Sequence, residues 1–224
     1  MMNSAESNML LHLGCGPYVR KTKWLDVDGS WNARLNSFPR FVRRGVRGIY
    51  RWTGRAPHEF PEHVQYLNLN KQLPFPANSV AAIYASHVWE HLYLDVARRL
   101  TADCFRVLKP NGIIRLVVPD IREMVVQYLA DRSPEAVVTL NKRLNYRELT
   151  RESSLIQRIH QGLTDLHRHK FMYDPDFLTN MVAAAGFRDV RSRECFDSEI
   201  AEIAAVESPG RCSPGEGFAI EGVK

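Results

Sequence analysis

Two glycines and an aspartate carry the first chemistry legible in this 224-residue chain. The run Met9-Leu-Leu-His-Leu-Gly-Cys-Gly-Pro17 reads as a short buried strand, Met9 to Leu13, that ends in a tight Gly14-Cys15-Gly16 turn. A second short strand, Trp24-Leu-Asp-Val-Asp28, ends in a carboxylate. A strand, a glycine turn and an acid at the tip of the next strand outline a site for a nucleotide-type cofactor. Glycine lets the backbone approach the ligand, and the carboxylate can accept hydrogen bonds from ribose hydroxyls. The third glycine of the dinucleotide fingerprint is absent, with Tyr18 and Val19 where it would fall. No Gly-Lys-Ser/Thr follows, which excludes a Walker-type phosphate loop. A ligand contacted through ribose and base fits better than one held by its pyrophosphate.

Three further segments could do chemistry. His87-Val-Trp-Glu-His91 spells the His-x-x-Glu-His pattern of inverted zinc peptidases, in which two histidines at i and i+4 bind a metal on a helix. His167-Arg-His-Lys-Phe-Met-Tyr173 gathers two histidines, a tyrosine and two basic residues just before a helix start; its plain reading is a solvated basic loop. Residues 34 to 55 hold seven arginines. There Phe38, Phe41, Val42, Val46, Ile49 and Tyr50 repeat at helical spacing, and Arg40, Arg43, Arg44, Arg47 and Arg51 fall largely on the other side. This is a basic amphipathic helix interrupted by Gly45 and Gly48. It reads as an ordinary surface helix, as a lid over an anionic ligand, or as a patch resting on anionic lipid. No RNA-recognition module or basic tail marks a nucleic-acid binder.

These residues must be held by alternating strands and helices, the pattern of an α/β sheet. Val64 to Asn68 reads as a third strand and Val80 to Tyr84 as a fourth. Asp95 to Leu108 has a helical apolar pattern, stopped by the turn chemistry of Lys109-Pro-Asn-Gly112. Ile113 to Val118 is the strongest strand and is expected at the centre of the sheet. Residues 121 to 168 read as mostly helical, with Ser133-Pro134-Glu135 as one start signal. Asp174-Pro175-Asp176 starts a helix that buries Phe177, Leu178, Met181, Val182 and Ala185 and stops at Gly186. Phe187 to Cys195 and Glu216 to Val223 then pair as late strands.

Composition narrows the class. Apolar content of 45% and charged content of 25% suit one globular domain with a sizeable core. No apolar run reaches the roughly 20 residues of a bilayer span, and the polar amino terminus lacks a signal-peptide core. Cys15, Cys104, Cys195 and Cys212 are widely spaced, without a Cys-x-x-Cys pair. That argues against a disulfide framework or a cysteine zinc site and fits a reducing cytoplasm. A net charge of +5 decides little about partners.

Four elements in order carry a family resemblance: Leu73-Pro-Phe-Pro-Ala-Asn-Ser79, Ser86-His-Val-Trp-Glu-His91, Arg106-Val-Leu-Lys-Pro-Asn-Gly112 before the Ile113–Val118 strand, and Ala185-Gly186-Phe187. With the Gly14–Gly16 turn, the chain resembles the class I, seven-stranded S-adenosylmethionine (SAM)-dependent methyltransferases of the type-11-like branch, over about residues 9 to 121 and 169 to 223. The resemblance implies a Rossmann-like, doubly wound and mostly parallel seven-stranded sheet, helices on both faces and an antiparallel last strand. It implies a single domain over 1–224, with an arginine-rich insertion at about 31–63 and a helical insertion at about 121–168.

It also implies roles. Leu13, Gly14, Cys15 and Gly16 pass under the methionine part of SAM, Asp28 binds the ribose, and Asn68, Leu69 and Asn70 contact the adenine. Ser86 and His87 sit where the fourth strand opens into the site. For a hydroxyl acceptor a neutral histidine near the methyl can remove the proton. His87 is the first choice, His91 lies one turn later on the same helical face, and His169 is a second candidate base. Asp120, at the end of the strongest strand, can orient a base or bind substrate, or simply cap the helix from Ile121. Tyr18, Glu90, His169 and Tyr173 are the expected acceptor contacts, and no resident metal is expected.

Three positions depart from the family's pattern. Asp28 follows Gly16 by twelve residues, so the first crossover helix must be short or irregular. Asn68 or Asn70 stands where an acid is commoner, and Ala82 where Asp is frequent.

The expected activity is O-methylation of a small polar acceptor such as a sugar or glycoside, releasing S-adenosylhomocysteine (SAH). The alternatives are N- or C-methylation, a zinc hydrolase using His87-x-x-Glu90-His91, and a SAM-binding module without catalysis. Residues 38–52 are a candidate peripheral membrane contact. The sequence does not set the oligomeric state, and a homodimer is compatible with it.

Overall fold

The computed structural model describes residues 8–52, 59–146 and 168–224, without the side chains of Arg47 and residues 49–52. His167, Arg55 and the segment 147–167 lie outside the described residues, as do the side chains of Arg47, Ile49, Tyr50 and Arg51.

Seven strands form one sheet: β1 Met9–Leu13, β2 Trp24–Asp28, β3 Gln65–Tyr66, β4 Val80–Ser86, β5 Leu108–Val118, β6 Arg188–Arg193 and β7 Phe218–Val223. Their order is β3-β2-β1-β4-β5-β7-β6. β3, β2, β1, β4 and β5 pair in parallel, and β7 runs antiparallel to both β5 and β6. The chain moves outward in one direction from β1 to β2 and in the other from β4 to β5. The switch point therefore lies between β1 and β4, and a ligand crevice forms outside the carboxyl ends of those strands.

One face of the sheet packs Leu11, Leu13, Ile83, Ala85, Ile114, Leu116 and Val118 against α3 (Leu94–Val107), through Ala97, Leu100 and Cys104, and against α6 (Pro175–Ala184), through Leu178, Met181 and Val182. Asp174 caps α6, its carboxylate accepting from the Phe177 N–H at 2.7 Å. The opposite face packs Trp24, Ala82, Tyr84, Val117 and Ala219 under Ile200, Ile203 and Cys212. Ala82, where an aspartate is frequent in the family, is thus a core residue of the second face.

Arg115 of β5 is fully buried and binds both Glu207 oxygens (2.7 and 2.9 Å), Glu221 (3.0 Å) and the carbonyls of Glu194 and Asp197 (each 2.8 Å). A buried charge persists only when paired and hydrogen-bonded. This set ties the segment after β6 to the central strand.

Several local expectations are corrected. Residues 14 to 23 contain no helix at all, so β1 reaches β2 through a loop. β3 keeps only two residues, because Asn68 turns the chain by accepting the Asn70 N–H at 2.9 Å. α3 runs straight into β5 at Leu108, and Lys109–Gly112 forms a bulge inside that strand: Val80 pairs with Leu108 but Ala82 with Ile113. Gly45 and Gly48 do not interrupt α2, which is continuous over Arg40–Trp52 after the short α1 (Trp31–Leu35).

Ser133 caps nothing. Its carbonyl accepts the Ala136 N–H in a turn, and α5 (Ala136–Leu144) starts two residues after Pro134, following α4 (Ile121–Ala130). Cys195 and Cys212 are bonded to each other, contrary to the spacing argument. The segment after β6 folds back onto the short α7 (Pro209–Cys212) and brings their Cα atoms to 5.3 Å, inside the range a disulfide spans. No helix among the described residues is long and apolar enough to cross a membrane.

Candidate active site

The carboxyl ends of β1, β2 and β4 converge on the Gly14–Gly16 turn. Gly14 and Gly16 have φ of +65° and +69°, a region that side-chain-bearing residues rarely adopt. The N–H groups of Gly14 and Cys15 donate to the Val27 carbonyl at 2.8 and 3.2 Å, which folds the turn over β2. A Cβ on Gly14 would lie 2.3 Å from Val88 Cγ2, whereas one on Gly16 would meet nothing within 4 Å. Gly14 is therefore required by the protein's own packing, and the space over Gly16 is open for a ligand.

Asp28 is buried at the tip of β2 and accepts from the Gly16 N–H (3.1 Å, Oδ2) and the Ser30 N–H (2.8 Å, Oδ1). Each oxygen keeps a second lone pair, so the fixed carboxylate can still take ribose hydroxyls. Burial, helped by Asp28 and Asp26, pushes the Cys15 thiol well above the ordinary range, so it stays neutral. Asn68 Oδ1 is engaged by Asn70, Leu69 is buried, and the Asn70 carbonyl accepts from Arg99 at 2.6 Å. An open backbone cradle beside a fixed carboxylate fits SAM.

Beyond β4, the chain gathers four of the sequence-predicted residues around a fifth. The His87 N–H donates to the Val117 carbonyl at 2.8 Å, and His87 itself has φ +55°. Only Trp89–His91 form a 3₁₀ turn, so His87 and His91 do not share an α-helical face, and the helical metal pattern is corrected. Instead His87 Nδ1 lies 3.2 Å from Oε1 of Glu90, whose side chain is 0% exposed. His87 Nε2 lies 3.2 Å from the Arg211 carbonyl.

The segment 168–173 closes the cluster. The N–H groups of Lys170 and Phe171 donate to the Glu90 carbonyl at 2.6 and 3.3 Å, and the Ile121 N–H donates to the Tyr173 carbonyl at 3.0 Å. The His91 and His169 rings meet edge-on, 5.0 Å apart. Burial lowers the His169 pKa against the pull of Glu90's charge, and burial together with that charge raises the Tyr173 phenol. Asp120 takes its plainer role: its Oδ1 caps α4, accepting from Arg122 and Glu123 at 2.8 and 3.2 Å. Tyr18 stands 85% exposed in the loop after Gly16.

The sequence reading missed a second buried network under the cofactor turn. His12 Nδ1 lies 2.8 Å from Asp26 Oδ1, and His63 Nε2 lies 3.4 Å from Asp26 Oδ2. The one signal available was alternation, which puts His12 and Asp26 on the inner side of two buried strands.

The family model for a methyltransferase domain matches residues 46–116, the stretch from α2 through the middle of β5. No curated protein matches the chain. Among solved structures, a SAM-dependent methyltransferase from Thermotoga maritima, described as a "possible histamine N-methyltransferase", is 14% identical, with 96% of this chain and 82% of that one covered at a TM-score of 0.45. A SAM-dependent methyltransferase from Archaeoglobus fulgidus is 16% identical, with 97% and 86% covered at 0.44. The YcgJ protein of Bacillus subtilis is 16% identical, with 97% and 92% covered at 0.42. None of the three bears on the acceptor. The matched stretch and this sheet order are what the chain shares with class I SAM-dependent methyltransferases, the family it resembles.

Proposed function

We propose that the protein methylates an oxygen of a small polar acceptor, such as a sugar or glycoside, with His87 receiving the hydroxyl proton. The observation that carries this reading is the His87–Glu90 pair, 3.2 Å apart, directly after β4 and next to the Val88 side chain that packs under the cofactor turn. Bound SAM supplies an electrophilic methyl on a sulfonium sulfur. The chain must then orient an acceptor oxygen towards it and accept one proton. Glu90 fixes the ring of His87 and stabilises it once protonated, the role of the carboxylate in a histidine–acid pair. His87 Nε2 faces the Arg211 carbonyl, so the acceptor hydroxyl must replace that contact to deliver its proton. Tyr173 and the segment 168–173 supply the acceptor wall.

Screening hydroxylated acceptors for SAH release tests the activity. A His87→Ala variant is expected to keep SAM affinity and lose turnover by about a hundredfold or more. Undiminished turnover removes His87 as the base, and SAH release with amines alone turns the reading to N-methylation.

α2 supports a second contact. Phe41 is 76% exposed on the same helix as Arg40, Arg43 and Arg44, an arrangement suited to anionic lipid headgroups at a membrane surface.

A further inference from the structure

We propose that Glu90, His91 and His169 hold a divalent transition-metal cation of the zinc class, whose open position takes an oxygen of the acceptor. This rests on the methyl-transfer reading and names what positions the acceptor in the same site.

One donor atom from each of the three residues lies within 4.8 Å of the other two. Two imidazoles and one carboxylate form a donor set that binds zinc while leaving a coordination position free. Ligands on one tetrahedral zinc stand about 3.4 Å apart, so closing the site needs side-chain adjustments of about an ångström.

The electrostatics ask for a cation. Glu90 is completely buried, and neither of its carboxylate oxygens receives a well-formed hydrogen bond among the described residues. The nearest group, His87 Nδ1 at 3.2 Å, touches only Oε1. A buried carboxylate left this way is costly, and a bound cation offsets that cost directly. His169 Nδ1 is likewise buried without a partner among the described residues.

The outer contacts have the form that metal-binding histidines use. His91 Nδ1 lies 3.2 Å from the Arg168 carbonyl. When one ring nitrogen donates to a carbonyl, the other is left as a lone pair. The Glu90 carbonyl accepts the Lys170 and Phe171 N–H groups, so backbone bonds already fix the two ligand-bearing segments against each other. The set differs from the His-x-x-Glu-His reading: His87 pairs with Glu90, and the second imidazole comes from the far segment.

The test uses the untagged protein, stripped with a chelator and titrated with SAM by calorimetry. Titration with Co²⁺ is expected to give a visible ligand-field band that saturates at one equivalent and is displaced by Zn²⁺. Glu90→Gln and His169→Ala are each expected to weaken Co²⁺ binding about a hundredfold, with SAM affinity reporting that each variant is folded. Protein that binds SAM but takes up neither Co²⁺ nor Zn²⁺ overturns the cation site and leaves the methyltransferase reading untouched. Unchanged Co²⁺ binding by both variants also overturns it. Saturable Co²⁺ binding by protein that binds no SAM would sustain the site and sink the cofactor reading instead.

Discussion

The backbone of Gly14 packs directly against the side chain of Val88, so the glycine turn after β1 and the segment after β4 are one structural unit. Gly14→Ala puts a Cβ 2.3 Å from Val88 Cγ2 and forces an L side chain to φ +65°. The two effects together should cost about 2 kcal/mol or more. Gly16→Ala meets open space and carries only the φ penalty, about 1 kcal/mol. Denaturant melts of both variants should show that gap, and Val88→Ala should recover part of the loss in Gly14→Ala but none in Gly16→Ala. Equal losses at the two glycines would mean that Val88 moves aside without cost.

Asp28 is held by two backbone donors, Gly16 and Ser30, before any ligand arrives. Asp28→Asn removes the charge and turns one acceptor into a donor. SAM affinity should fall about tenfold or more, the worth of one charge-assisted hydrogen bond. Calorimetry with SAM and SAH should show the same loss for both, since they share the ribose. A loss confined to SAM would contradict the ribose role.

The strands and the glycine turn were legible because buried parallel strands are short apolar runs, and Gly14, Gly16 and Asp28 mark where they end. The fates of His87 and Glu90 were not. The sequence places them three residues apart, but only the tertiary approach of 168–173 buries the carboxylate and adds His169. Cys195 and Cys212 were misjudged for a similar reason: their separation of 17 residues says nothing about a chain that folds back. Helix starts were read well where a side chain performs the capping, as at Asp174 and Asp120. They were misread at Ser133, where backbone turns alone begin α5.

Arg115 is the clearest buried charge in the fold, held by Glu207 and Glu221. Arg115→Met leaves two carboxylates facing each other without a counter-charge and should cost about 3–5 kcal/mol. Glu207→Gln keeps a hydrogen-bond acceptor beside the guanidinium and should cost less. Thermal unfolding of the two variants gives the order directly, and a milder loss for Arg115→Met than for Glu207→Gln would contradict the assignment of Arg115 as the centre of the network.

If α2 rests on anionic lipid, vesicles containing phosphatidylserine should co-sediment the protein, and neutral vesicles should not. Arg43→Glu with Arg44→Glu should abolish that binding at low salt while SAM affinity stays unchanged, because a basic cluster contributes about 1 kcal/mol per residue at such a surface. Equal co-sedimentation of wild type and variant would remove the membrane role.

Burial decides the behaviour of the cysteines. Cys104 is fully enclosed, and Cys15 is half-buried beside two aspartates, so both thiols are held neutral well above the ordinary range. Thiolate is the reactive form, so native protein should react only slowly with a disulfide reagent at pH 8. After denaturation without reductant, two of the four cysteines should react, and after reduction all four. Cys212→Ser opens a loop of 17 residues and should cost about 3 kcal/mol by the chain-entropy account. It should also loosen Arg211, whose guanidinium donates to the Ser86 carbonyl and whose own carbonyl faces His87. Turnover should therefore drop on reduction under conditions where the protein is still folded. Four rapidly reacting thiols in the unreduced, denatured chain would show that the bond does not form in solution, and the link from Cys212 to His87 would fall with it.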